Sequence, residues 1–242
     1  MASLYEDFHL LTRKQYKIIS VNNFTYRNII ALVNKYLSSE FRTVLDIGCG
    51  AGTISLYIAS KGYNVLGIDI SQTAIDACRE SKQQLGLKKV FFETYDFPSN
   101  YPKGKFDFII CSEVIEHIND DDKAFEIMSS KLKRGGILIL TTPSKNAPLF
   151  RMGLLNTFER NVGHVRRYNL KEMLKKVKKY EFTVVEVGQT EGILRNYLFT
   201  NFWAGKIIRF IKFSISDFIT FIDNLTIRFF GASNMYIVLR KK

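Results

Sequence analysis

Val44-Leu45-Asp46-Ile47-Gly48-Cys49-Gly50-Ala51-Gly52 decides how the rest of this chain is read. An apolar run, suited to a buried parallel strand, ends at glycines spaced GxGxG, and Gly52–Ser60 continues as a helix. Glycines at such a turn let the main chain reverse tightly and let a ligand approach it closely. A dinucleotide site has the spacing GxGxxG, and Asp46 at the mouth of the loop would repel a pyrophosphate. An acid there suits a cationic ligand. Asp69 ends the next apolar run, where a carboxylate can accept both hydroxyls of a ribose. Asp96 follows the third run and is placed to receive an adenine amino group.

The same rhythm extends on both sides. Ile29, Ile30, Leu32, Val33 and Leu37 recur at helical spacing over Tyr26–Leu37. Thr43–Ile47, Asn64–Ile68, Val90–Thr94, Phe106–Cys111 and Gly136–Thr142 read as strands. Between them fall a helix over Gln72–Leu85, capped by Ser71, and another over Asp121–Lys133. The second has acids in its first turn and bases in its last, as the helix dipole favours. This alternation predicts an α/β fold with a mostly parallel sheet covered on both faces. Ser144–Arg167 reads as irregular, Asn169–Lys179 as a basic helix, Phe182–Val187 as a strand and Met235–Leu239 as a closing strand. Gly188–Ser233 is far longer than a hairpin loop and reads as a helical insertion.

Three stretches in register resemble the ordered motifs of class I S-adenosylmethionine-dependent methyltransferases: Val44–Gly52, Gly67-Ile68-Asp69-Ile70-Ser71 and Phe106-Asp107-Phe108-Ile109-Ile110-Cys111-Ser112-Glu113. The resemblance covers about residues 26–187 and the last strand. It implies a Rossmann-like three-layer sandwich whose seven-stranded, mostly parallel sheet has an antiparallel last strand. It implies S-adenosylmethionine as cofactor, with Asp46, Gly48, Gly50 and Gly52 at its methionyl part and Asp69 and Ile70 at its ribose. Asp96 and Phe97 then fall at the adenine, and Ser112 and Glu113 complete the cofactor site. Because the methyl group arrives already activated, such a protein mainly aligns donor and acceptor.

Glu113, Glu116 and His117 follow the fourth strand at the ligand-binding edge. If Glu113–His117 turns as a helix, i, i+3 and i+4 spacing gathers them. They could then hold a divalent ion, serve as a general base at His117, or simply cap and line the cofactor pocket. The stretch resembles the ExxEH segment of ubiquinone-biosynthesis O-methyltransferases, which implies Mg2+ as the ion. Further on, Asn161–Tyr168 resembles a GHxRxY stretch of quinone and natural-product methyltransferases. Here His164 is a candidate base, and Arg166, Arg167 and Tyr168 are candidate acceptor contacts, arginine's fork suiting a carboxylate or phosphate. The alternative leaves both arginines as solvated charges bonded to nearby carbonyls.

Composition bounds the function. Three scattered cysteines with no CxxC pair exclude a disulfide scaffold and a zinc ribbon. Met1–Arg13 already carries Glu6, Asp7 and Arg13, unlike a secretory leader, so a cytoplasmic location is expected, with peripheral attachment to the inner face of a membrane as a variant. The net charge of +12 is uneven: residues 1–143 hold 17 Lys/Arg against 16 Asp/Glu, and residues 144–242 hold 18 against 7. That assigns the positive charge to the acceptor side. Within the insertion, Ile207, Ile208, Ile211, Ile215, Phe218, Ile219, Ile222, Leu225 and Phe229 form a helical stripe. Arg209, Lys212, Asp217 and Asp223 interrupt it, against a membrane-spanning helix.

Three kinds of partner fit that stripe. A cap helix would pack on the substrate pocket or on a second copy in a homodimer. An amphipathic helix would meet an anionic membrane surface, with Trp203, Lys206, Arg209 and Lys212 near headgroups. Nucleic acid would stack on the aromatics, but no Asn/Asp-Pro-Pro-Tyr run follows the fourth strand; Cys111-Ser112-Glu113-Val114 stands there. We therefore expect one methyltransferase domain: a helical cap over 1–40, a cofactor-binding core over 41–187, a helical insertion over 188–233 and a closing strand over 234–242. The expected acceptor is a small or lipid-like molecule, methylated on oxygen by resemblance to the quinone enzymes. The alternatives are an RNA methyltransferase and a non-catalytic S-adenosylmethionine-binding partner subunit.

Overall fold

Consecutive apolar residues along a strand send side chains to both faces of a sheet, so each face needs its own cover. The computed structural model, which describes residues 14–205 and 213–242, supplies it. The first half of the chain runs α1 (Arg27–Tyr36), β1 (Thr43–Ile47), α2 (Thr53–Ser60), β2 (Asn64–Asp69), α3 (Gln72–Gln84), β3 (Val90–Thr94) and β4 (Phe106–Ser112). Then come α4 (Asp121–Lys131), β5 (Leu132–Pro143), α5 (Pro148–Arg151), α6 (Asn156–Val162), α7 (Leu170–Val177) and β6 (Phe182–Thr190). The chain closes with α8 (Ile193–Thr200), α9 (Phe202–Gly205), α10 (Phe213–Phe230) and β7 (Asn234–Lys241). Phe108 and Ile110 pack with Val44, Ile137 and Ile139 under α1, α2 and α3. Their neighbours Ile109 and Cys111 pack with Leu45, Leu138 and Leu140 under α4 and α7.

The sheet order is β3-β2-β1-β4-β5-β7-β6, with β7 antiparallel to both of its neighbours and the remaining pairs parallel. This is the seven-stranded, Rossmann-like sandwich expected from the motifs. β1 continues to β2 on one side and pairs with β4 on the other, so the strand order reverses there. Ile47 lies opposite Cys111, and the loops after the two strands open a crevice at their carboxyl ends. The expected cap on α3 is present: Ser71 Oγ accepts from the Ala74 amide at 3.1 Å. Asn169 and Glu172 form a reciprocal capping box on α7.

Two expectations change. Ser144–Arg167 is not irregular throughout, because α5 and α6 lie within it; helices of four and seven residues are too short to show a period. The insertion begins only after Thr190, since β6 runs three residues beyond Val187.

The stripe on α10 also faces the other way from a packed cap helix. Ser216, Thr220 and Asp223 are buried, while Ile215, Phe218, Ile222, Leu225 and Phe229 are exposed and Ile219 of the stripe packs partly against Phe24 and Leu198. Arg27 of α1 donates to the Ser216 carbonyl at 3.2 Å and to Thr220 Oγ1 at 3.0 Å. The Asp223 carboxylate accepts from the amides of Gly192 at 2.7 Å and Arg195 at 2.9 Å. Polar bonds therefore set the helix's roll, because burying those groups without partners costs more than leaving apolar side chains in water. Lys206, Ile207, Ile208, Arg209, Phe210, Ile211 and Lys212 lie outside the described residues, as does 1–13. No helix among the described residues is long and apolar enough to cross a membrane.

Gly52 opens α2 with φ +71°, and a Cβ there would stand 2.8 Å from Cys78 Sγ and 3.0 Å from the Phe92 ring. Gly52→Ala is expected to cost about 2–4 kcal/mol through backbone strain and overpacking, read as a lowered denaturant midpoint.

Candidate active site

The crevice opens into a cavity of about 1250 Å³. A pocket for one small ligand takes roughly 300–1,000 Å³, so there is room for a cofactor and an acceptor together. The glycine loop forms its floor. Gly48 has φ +66°, and a Cβ there would fall 2.3 Å from Val114 Cγ2, so any side chain would push the two loops apart. The Asp69 carboxylate shapes this edge, taking the Gly50 amide on one oxygen at 2.8 Å and the Ser71 amide on the other at 3.0 Å. Asp46 is buried on the α2 side and accepts from Ser55 Oγ at 2.6 Å. Burial pushes its pKa up to about 7 and the nearby Asp69 adds to this, against the Ser55 hydrogen bond. A positive ligand in the cavity would relieve that strain.

Ile70, Asp96, Phe97, Ser112 and Glu113 line the same cavity, as does Gly50. Gly52 does not; its missing side chain serves the packing of α2 on Cys78 and Phe92.

Beyond the cofactor half, the structure rearranges the expected ion site. Only Ile115–His117 turns, as a single 3-10 turn, and Glu113 has φ +56°. Glu113 Oε1 instead accepts from Thr141 Oγ1 at 2.7 Å and Asn234 Nδ2 at 2.9 Å. The three side chains that do converge are Glu116, His117 and His164, whose ligand atoms lie within 4.8 Å of one another. Two imidazoles and one carboxylate make a donor set for a transition metal; magnesium favours oxygen ligands. The Glu113, Glu116 and His117 set is not assembled, and the residues present do not fit Mg2+.

Glu116 is fully buried, and its Oε1 has no hydrogen-bond partner among the described residues. That oxygen stands 4.0 Å from Nε2 of both histidines. Burial, reinforced by the Glu113 charge, holds its pKa well above the usual carboxylate range. Burial and the facing His164 ring lower the pKa of His117 to about 4.

His164 has a partner that the sequence reading missed. Its Nδ1 is 3.1 Å from Glu159 Oε2, and Arg167 grips the same carboxylate through Nη2 at 2.6 Å and Nε at 3.0 Å. Burial alone would raise the Glu159 pKa, but the bonds from His164 and Arg167 hold it down at about 2. An ionised carboxylate only accepts, so Nδ1 donates to Glu159, and Nε2 faces Glu116 and the cavity. Glu159 lies on α6, the short helix whose periodicity cannot be seen in the sequence.

The expected acceptor contacts are mostly engaged elsewhere. Arg166 pairs with Asp121 at 2.8 Å and donates to the Asn119 carbonyl at 2.6 Å, and Tyr168 donates to Asp121 at 2.5 Å. Neither lines the cavity. The buried Asp121 at the start of α4 draws both away. Arg167 does line it, but its fork is spent on Glu159 and the Ser144 carbonyl. The roof comes from α1, α6 and α8, which contribute Ile29, Phe158, Asn196 and Phe199; α10 contributes no lining residue among those described. The wall is acidic: Asp46, Asp69, Asp96, Glu113, Glu116, Asp120 and Glu191 line it, against Lys123 and the engaged Arg167. Among the described residues of 144–242, Arg167 is the one lysine or arginine in the cavity lining.

A mostly parallel sheet with an antiparallel β7, and a glycine loop at its switch point, define the class of S-adenosylmethionine-dependent methyltransferases. Residues 21–187 match the methyltransferase domain family, and the chain belongs to it. It is 31% identical over 119 residues to a ubiquinone biosynthesis O-methyltransferase of Actinobacillus pleuropneumoniae, covering 47% of this chain and 51% of the relative. It is 29% identical over 165 residues to the enzyme of that name from Rickettsia typhi, covering 66% of each. The chain thus spans about half to two thirds of the length of these curated relatives. Among solved structures, it superposes on Haemonchus contortus phosphoethanolamine N-methyltransferase 2 in complex with S-adenosyl-L-methionine with a TM-score of 0.68 at 18% identity, covering 99% of this chain and 56% of that one. Magnesium protoporphyrin IX methyltransferase of Synechocystis, with S-adenosylhomocysteine bound, gives 0.65 at 15% identity and full coverage of both chains. At these identities the two structures establish the fold.

Asp46 yields a pH test. A carboxylate with a raised pKa is neutral below about 7, and a cationic ligand needs it ionised. Affinity for S-adenosylmethionine, measured by calorimetry, is expected to weaken by up to about tenfold per pH unit as pH falls below about 7. Asp46→Asn is expected to bind weakly with a flat profile.

Proposed function

We propose that the protein transfers a methyl group from S-adenosylmethionine to a hydroxyl oxygen of an uncharged or lipid-like small molecule. The single observation that carries this reading is the His164–Glu159 pair beside the cofactor half of a cavity large enough for two ligands. The cofactor supplies an activated methyl group on a positively charged sulfur. Asp69 holds the ribose hydroxyls, Asp96 meets the adenine amino group, and Asp46 with the Gly48–Gly50 backbone receives the charged methionyl end. The acceptor hydroxyl is aligned with the methyl group under α6 and α8. As its oxygen bonds to the methyl carbon and the sulfur–methyl bond breaks, the hydroxyl proton passes to His164 Nε2. Glu159 positions the ring and stabilises the imidazolium, and Arg167 fixes Glu159.

The acidic wall supports a neutral acceptor over a carboxylate, a phosphate or an RNA backbone, each of which would meet the Glu113 carboxylate in the same cavity. Oxygen as the acceptor atom is supported by the names of the curated relatives.

Methylation of a metabolite extract with labelled cofactor, read by mass spectrometry, identifies the acceptor. With that acceptor, His164→Ala is expected to lower kcat by about 10²–10⁴-fold while cofactor affinity stays within about twofold. Wild-type turnover in the variant would remove the base. Glu159→Gln, a positioning change, is expected to lower kcat while leaving the cofactor KM unchanged, because the ring loses the carboxylate that orients it. Chelation with EDTA is expected to leave turnover unchanged, since no step runs through a metal ion; loss restored by a divalent ion would reverse that assignment.

A further inference from the structure

Helix α10 is built inside out. At 3.6 residues per turn, Ser216, Thr220 and Asp223 lie on one side, and Ile215, Phe218, Ile222, Leu225 and Phe229 lie on the opposite side. The first set is buried; the second is exposed, from 36% at Ile222 to 81% at Phe229. Rolling the helix would bury the apolar side chains but would strip Asp223 from the Gly192 and Arg195 amides and Arg27 from Ser216 and Thr220. The apolar face is therefore held outward by buried polar bonds. Trp203 on α9 is also largely exposed, as are Met152 and Leu154 just after α5, and α5, α9 and α10 all pack on α8. An outward apolar helix face of this kind marks an interaction site.

Charge selects the occupant. Every acid in residues 144–242 is already engaged. Glu159, Glu172, Glu181, Glu186, Glu191 and Asp217 each pair with a basic side chain, and Asp223 accepts backbone amides. Arg151, Arg160 and Arg228 are exposed with no ion pair among the described residues, and Arg228 flanks the apolar stripe on α10 itself. A second copy docked through the same face would offer Arg228 no free carboxylate from residues 144–242, whereas an anionic surface would offer it negative charge.

We propose that the outward face of α10, with Trp203 and Arg228, docks the protein on the surface of an anionic lipid bilayer. The helix lies in the plane of the interface, its phenylalanines among the upper acyl chains and Arg228 at the phosphates. α8, which packs against α10, also forms the cavity roof through Asn196 and Phe199, so docking sets the cavity beside the bilayer.

The test uses the full chain and vesicles of phosphatidylcholine with or without phosphatidylglycerol. Trp203 is the only tryptophan, so its emission reports the surface directly. The wild type is expected to sediment with phosphatidylglycerol vesicles, with a blue-shifted Trp203 emission, and to be released by salt. The double variant Phe218→Ser, Phe229→Ser is expected to bind at least about tenfold more weakly while keeping its circular dichroism and its affinity for S-adenosylmethionine. Arg228→Glu, whose side chain makes no packing contact in the core, is expected to weaken binding to anionic vesicles alone. Binding unaffected by either variant, absence of wild-type binding, or a dimer in light scattering that the double variant dissociates without any vesicle binding would each overturn the proposal. No readout involves methyl transfer, so the outcome stands apart from the acceptor's identity.

Discussion

The carboxylate of Asp69 ties together the two loops on which the cavity depends. One oxygen accepts the Gly50 amide and the other the Ser71 amide, so the glycine turn after β1 and the start of α3 are held at a common point. Charge-assisted bonds to backbone amides are strong and directional, and this pair fixes the two loops relative to each other. Val114 closes from the other side, against the missing side chain of Gly48. The crevice at the switch point is thus pre-shaped by the protein's own bonds.

This arrangement concentrates negative charge. Asp46 and Glu116 are buried with raised pKa values, and Glu191 is pushed up to about 7 by burial, with Arg195 opposing. Carboxylates held together in a low-dielectric wall favour a cation as partner. Among the described residues of 144–242, Arg151, Arg160 and Arg228 are exposed without an ion pair. The acidic cavity wall and these surface groups carry opposite signs, which a single net charge of +12 conceals.

Local signals in the chain made the core legible. Val44–Gly52 shows a strand, a turn that only glycine allows and a helix start, and the cap at Ser71 and the box at Asn169 and Glu172 are written in adjacent residues. The cofactor-side acids could be named for the same reason, since each ends or follows a strand at a known edge. The far half of the cavity was less legible. Glu113 was grouped with Glu116 by helical spacing, but its left-handed backbone sends it to Thr141 and Asn234. Glu159 was missed because α6 is too short to reveal a period, and its bond to His164 depends on how α6 and the following loop fold over the strand ends.

The sequence by itself determined the strand–helix alternation, the sheet's antiparallel close and the cofactor-binding edge, because these follow from periodicity, glycine geometry and capping within a few residues. It also determined that α10 is a helix with one apolar side. Only the tertiary structure decided which side of α10 faces inward. The choice rests on Arg27, Gly192 and Arg195, groups far away in the chain whose buried donors need the oxygens of Ser216, Thr220 and Asp223. A hydrophobic stripe states what a helix can bury, but the cost of leaving polar groups without partners decided what this one does bury.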